Sequence, residues 1–175
     1  VYTDWQRDNY FKAVASQIKN KGRVGIEYDH LPVERLKKLQ SHKEYLDDIE
    51  NTDIIEYIVG HEKPNVIIHC ASFPRQKVVN ANPAWGADVM IRGLINLLES
   101  AKKHGIKRFV YISSSMVYGD FEDDVLEDDE CRPQGQYGIM KLAGEHLVKD
   151  YARKTGMEYV IIRPSAVYGP LDVED

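Results

Sequence analysis

Three short, strongly apolar runs, each separated from the next by a stretch of helical character, constrain this chain more than any other feature. They are 66–70 (VIIHC), 108–113 (RFVYIS) and 158–163 (EYVIIR). Such runs, alternating with helical segments, suit the strands of a parallel sheet covered by helices. The segments between them supply the helices. Asn82-Pro83 opens one that runs to about His104 and is closed by Gly105. Tyr137 to Thr155 forms another, stopped by Gly156, and Asn51 or Thr52 caps a third that runs to His61. Upstream, 23–28 (RVGIEY) reads as a strand, with shorter strands at 1–3 and 44–46 and helices over 5–19 and 31–39. The alternation predicts an α/β fold, a three-layer, doubly wound parallel sheet joined by right-handed crossovers, forming one domain over 1–175. In such sheets ligands bind beyond the carboxyl ends of the strands. Residues 70–72, 113–115 and 164–166 should therefore converge in space.

Charge and composition narrow the partners. A formal net charge of -5 argues against nucleic acid. The acidic run 122–130 (EDDVLEDDE) reads as a solvated loop. No stretch is long and apolar enough to span a membrane and the start has no signal-peptide pattern, so a cytoplasmic location is expected. The two cysteines, Cys70 and Cys131, do not form a metal-ligand spacing, and no metal site is expected.

Chemistry concentrates in two places. The strand at 108–113 runs into a serine cluster, Ser113-Ser114-Ser115. One loop later, Tyr137 and Lys141 stand a helical turn apart on one helix face. A phenol, with a pKa of about 10, is a poor base at neutral pH, and a neighbouring ammonium favours its ionised form. The pair suits proton transfer to or from a hydroxyl. Taken alone, it equally suits a packed tyrosine and a surface lysine.

From about Asp48 onward the chain resembles the extended short-chain dehydrogenase/reductase family, the nucleotide-sugar epimerases and dehydratases. The resemblance rests on Asp48-Ile49, 66–72 (VIIHCAS), 93–99 (GLINLLE), 108–119 (RFVYISSSMVYG), the YxxxK of Tyr137 to Lys141, and 163–170 (RPSAVYGP). It implies a Rossmann-like fold and a Ser-Tyr-Lys site of Ser114, Tyr137 and Lys141. It also implies NAD contacts from Asp48, Ile49, Cys70, Ala71, Ser72, Tyr137 and Lys141. Three departures stand out. Met90 and Ala166 occupy positions where the family has Asn. Ser115 and Met116 replace the Asp-Glu pair of the dehydratases, which favours an epimerase-like reading.

Two further features point away from an intact enzyme. No glycine-rich phosphate loop occurs: after the strand at 23–28 the chain reads Asp29-His30-Leu31-Pro32, and Gly25 falls inside the strand. The chain also ends soon after Tyr168-Gly169-Pro170, where the family resemblance implies a continuing substrate domain. Residues 1–46, in particular 1–11 (VYTDWQRDNYF) and 23–31 (RVGIEYDHL), resemble the non-catalytic N-terminal domain of creatinase-like enzymes. Together these predict an engineered chimera of a creatinase-like segment, 1–46, and an epimerase-like segment, 47–175, that folds without catalysis and binds no cofactor. Self-association through surface left uncovered is expected. The competing expectation is an NAD-dependent nucleotide-sugar 4-epimerase using Ser114, Tyr137 and Lys141.

Overall fold

A computed structural model describes the backbone of residues 24–26 and, with their side chains, residues 49–73, 76–120 and 125–165. Among the described residues, four parallel strands form one sheet in the order β1-β2-β3-β4. They are β1 (Val24–Ile26), β2 (Val66–His69), β3 (Arg108–Ile112) and β4 (Glu158–Ile162). The register pairs Val24 with Val66, Ile67 with Phe109, and Phe109 with Tyr159. Residues 24–26 of the run at 23–28 thus lie beside 66–68, and Gly25 sits within β1 opposite Ile67.

Side chains of β2 and β3 alternate between two apolar clusters, which is why these strands read as continuous apolar runs. Ile67, Phe109 and Tyr111 face the larger cluster, together with Ile55, Val59, Leu94, Leu98 and Val148 from the helices. Val66, Ile68 and Val110 form the smaller cluster on the other face. The helices expected over 5–19 and 31–39, and the strands over 1–3 and 44–46, lie outside the described residues. The Rossmann-like α/β arrangement of parallel strands is as the sequence predicts.

Helix α1 (Thr52–Glu62) starts where Asn51 caps it, the Oδ1 accepting from Asp53 N at 3.0 Å and Ile54 N at 3.3 Å. The connection from β2 to β3 is less simple than the sequence suggests. Instead of one helix over 82–104, it contains α2 (Gln76–Ala81), α3 (Pro83–Ala87), a π-helical turn (Asp88–Gly93) and α4 (Leu94–Lys103). The buried positions Val89, Met90, Leu94, Leu97, Leu98 and Ala101 keep three- and four-residue steps through the π turn. Periodicity alone therefore reads a plain helix there. Helix α2 has only Val79 buried, too little to show as an amphipathic pattern. Helix α5 (Gly135–Thr155) connects β3 to β4 and stops at Gly156 as expected, but it begins two residues before Tyr137. No helix among the described residues is long and apolar enough to cross a membrane.

Candidate active site

Beyond Ile112 the last strand pair stays in contact. Ser113 N donates to Ile162 O at 2.7 Å, and Ser115 N donates to Pro164 O at 2.9 Å. The serine cluster is thereby held along the carboxyl edge of the sheet. Ser114 is extended, at φ -160° and ψ 152°, and caps a single 3-10 turn, Ser115–Val117. Its Oγ accepts from Met116 N at 3.2 Å.

Helix α5 crosses this turn at close range because two of its inward positions are glycine. A Cβ on Gly138 would stand 2.6 Å from Met116 O, and a Cβ on Gly144 would collide with the Tyr111 hydroxyl. At this distance the side chains of Tyr137 and Lys141 reach the strand ends. Lys141, only 3% exposed, donates from Nζ to Ile112 O at 2.8 Å. Its Nζ lies 5.5 Å from the ring centre of Tyr111 and 5.7 Å from that of Tyr137. The hydroxyls of Ser72, which follows β2, and Ser114, which follows β3, lie close enough to the Tyr137 phenol to favour its ionised form. Burial pushes this phenol up from its ordinary value, and the two serine hydroxyls pull against that rise.

The start of α5 is fixed from outside the helix. Gln134 makes no side-chain cap, and Tyr137 N instead donates to Oδ1 of Asn80 on α2 at 3.2 Å. Beside the serine turn lies a charged network. Glu145, fully buried on α5, accepts from Ser113 Oγ at 2.6 Å and from Arg163 Nε and Nη2 at 2.8 and 2.6 Å. Arg163 Nη1 donates to Tyr118 Oη at 2.6 Å and to Glu127 O at 2.9 Å. Burial raises the Glu145 carboxyl, but the hydrogen bonds from Arg163 and Ser113 and the charges of Arg163 and Lys149 hold it below its ordinary value.

Of the residues singled out from sequence, Ser72, Ser114, Tyr137 and Lys141 come together. Cys70 and Ala71 are half-buried on the approach from β2. Ile49 belongs to the core, and its carbonyl accepts from Asn96 Nδ2 at 3.2 Å. Asp48 and Ala166 lie outside the described residues. Met90 is a core side chain at 2% exposure, not a polar contact. Sequence reading did not single out Asn80 or Glu145. Glu145 was within reach of it, because Tyr137, Lys141 and Glu145 recur at four-residue steps along one helix face. Asn80 gave no local signal.

Comparison with known proteins agrees with this arrangement. A family model described as the NAD dependent epimerase/dehydratase family matches residues 12–175. An uncharacterised UDP-glucose epimerase of Bacillus subtilis is 34% identical over 146 residues, 80% of this chain and 45% of its own length. A putative UDP-glucose 4-epimerase of Methanocaldococcus jannaschii is 34% identical over 149 residues, 82% of this chain and 48% of its own. A UDP-glucose 4-epimerase of Thermotoga maritima, solved with UDP-glucose, superposes with a TM-score of 0.71 at 27% identity, over 91% of this chain and 52% of that one. A UDP-glucose 4-epimerase of Thermus thermophilus, solved with NAD, gives 0.69 at 27% identity, over 72% and 42%. The chain spans about half the length of the curated relatives it matches.

These matches overturn the reading of the chain as an engineered chimera made to fold without catalysis. The family match begins at residue 12 and crosses the supposed junction near 46–49 without a break. Within the strand attributed to a creatinase-like source, 24–26 pair with β2 in register as part of the same parallel sheet. Local likeness in an α/β segment misleads because one β–α–β pattern serves many folds. From the start of that match to the end of the chain, this protein belongs to the NAD dependent epimerase/dehydratase family.

Proposed function

We propose that the chain carries the catalytic half-site of an NAD-dependent UDP-sugar epimerase of the UDP-glucose 4-epimerase type. The observation that carries this reading is the placement of the Tyr137 phenol. It lies beside the hydroxyls of Ser114 and Ser72 at the carboxyl edge of the sheet, with the Lys141 ammonium 5.7 Å from its ring. In the proposed reaction Ser114 holds the oxygen of a sugar hydroxyl, and Tyr137, as phenolate, takes its proton. Lys141, fixed by the Ile112 carbonyl, favours the phenolate by its charge.

The donor set also suits the nicotinamide-ribose end of NAD. Tyr137 and Lys141 would hold the ribose hydroxyls, and Ser72 lies beside them at the end of β2. The chemistry this group supplies when bound is reversible acceptance of a hydride from the sugar carbon. Sequence alone bears on the pyrophosphate end, where residues 27–36 (EYDHLPVERL) contain no glycine and two of the first three are acidic. Affinity weaker than that of a glycine-loop site is expected. A dehydratase is not favoured, since Ser115 and Met116 offer no carboxylate for a second proton transfer.

Calorimetric titration with NAD tests the reading, together with chromatographic assay of UDP-glucose and UDP-galactose interconversion. Saturable binding is expected, and Tyr137→Phe should abolish interconversion while leaving the fold intact. Absence of saturable NAD binding to the folded protein would overturn the proposal.

A further inference from the structure

Three consecutive residues at the end of β3 are each gripped by one residue of α5. Lys141 donates to the carbonyl of Ile112, Glu145 accepts from the hydroxyl of Ser113, and Tyr137 stands beside the hydroxyl of Ser114. Tyr137, Lys141 and Glu145 are successive four-residue steps on the helix, so one face of α5 is fastened across the strand end. Glu145 is two turns along from Tyr137, and it is the one of the three with no exposure at all. Its carboxylate is matched by the fork of Arg163 through Nε and Nη2. The bond to Ser113 is therefore not needed to neutralise the charge. It adds direction instead. It joins the helix to the residue immediately before Ser114, while Arg163 continues to Tyr118 at the far end of the serine turn.

We propose that Glu145 is a positioning residue for the site, holding Ser114 against Tyr137 by gripping Ser113 from helix α5. It does not touch the reacting atoms. Through Ser113 and Arg163 it pins both ends of the 3-10 turn to the helix that carries Tyr137 and Lys141. The inference rests on the proposed pairing of Ser114 with Tyr137 as reacting groups.

The test reads that pairing without an activity assay. A fluorinated tyrosine at position 137, whose ionisation falls at lower pH by inductive withdrawal, is titrated by fluorine NMR in the full chain. Ser114→Ala sets the benchmark, an upward shift of the midpoint by about half a pH unit or more as a hydroxyl leaves the phenolate. Ser113→Ala leaves the Glu145–Arg163 pair in place, and Ser72, Lys141 and Tyr111, which also face the phenol, are untouched. It should shift the midpoint in the same direction, while Ser113→Thr, which keeps a hydroxyl, should restore it. Glu145→Gln, if folded by circular dichroism, should shift it likewise. Wild-type midpoints for Ser113→Ala alongside a clear shift for Ser114→Ala would overturn the positioning role alone. An unshifted Ser114→Ala would overturn the pairing beneath it, and the inference with it.

Discussion

The ammonium of Lys141 is anchored to the main-chain carbonyl of Ile112 at 2.8 Å, which fixes a buried cation between the rings of Tyr111 and Tyr137. One bond thereby serves the fold and the site. It joins α5 to the last residue of β3, and it sets the distance from the positive charge to the Tyr137 phenol. A lysine that only packed its stem would leave its head in water. This one is turned inward along its whole length.

Replacing Lys141 with Met separates those roles. Methionine fills similar volume and removes both the hydrogen bond and the cost of burying a charge, two effects that oppose one another. Unfolding free energy in urea should stay within about 1 kcal/mol of wild type. The proposed interconversion of UDP-glucose and UDP-galactose should fall by about 10²- to 10⁴-fold, the usual contribution of a positioned acid–base group. A large loss of stability with proportionate loss of activity would mean that Lys141 is a structural residue.

The Glu145–Arg163 pair makes the opposite prediction. Glu145 is fully buried, and the Arg163 side chain is 14% exposed. Removing one partner leaves the other charged and desolvated. Arg163→Met should cost about 3–5 kcal/mol in urea denaturation. Glu145→Met combined with Arg163→Met should recover most of that loss, since neither charge then remains buried. A double variant no more stable than the single one would show that packing around Arg163, and not its charge, carries the effect.

The same pair sets an acid limit. The Glu145 carboxyl is held below its ordinary value of 4.5 in the folded chain. The unfolded chain therefore binds the proton more readily as pH falls, and protonation draws the equilibrium toward unfolding. The contribution is complete above pH 4.5 and is lost as pH drops through the lower folded value. Glu56, Glu99 and Asp150 are shifted in the same direction, but they sit at the surface where solvent screens the effect. The difference in acid unfolding between wild type and the Glu145→Met/Arg163→Met double variant isolates the buried carboxyl. Wild type should show the steeper loss of stability below pH 4.5.

What the sequence revealed, it revealed through local physics. The buried strands β2 and β3 announce themselves as apolar runs, whereas β4 reads the same way yet is half-buried to exposed; the Tyr137–Lys141 spacing is a helix-face relation that needs no tertiary information. The rule that ligands gather past the carboxyl ends of parallel strands points to 70–72 and 113–115, and the family resemblance picks Ser72 and Ser114 out of them. Asn80 could not be found this way. Its role depends on α2 passing the start of α5, a contact across 57 residues of chain. The π turn at Asp88–Gly93 left no mark because its buried positions keep helical steps. The supposed change of family near residue 46 came from reading a short β–α–β likeness as ancestry, when parallel strand pairing is common to many α/β folds.

Gly144 is the position where fold and site are most tightly coupled. A Cβ there would lie 2.7 Å from Tyr111 Cζ and closer still to its hydroxyl. Tyr111 cannot retreat easily, because its ring is buried and stacked on His69 at 5.8 Å with an interplanar angle of 18°. Gly144→Ala gains about 1 kcal/mol of helix propensity, yet overpacking of this kind costs about 1–3 kcal/mol. The net outcome should be destabilisation, measured by urea denaturation. Tyr111→Phe in the same chain removes the nearest clashing atom and should restore part of the loss. The substitution should also reach the site. Lifting α5 from β3 draws Lys141 from the Ile112 carbonyl and Tyr137 from Ser114, so NAD affinity should weaken by more than the stability change accounts for. A stable Gly144→Ala variant with wild-type NAD affinity would show that the helix can shift outward without disturbing the serine turn.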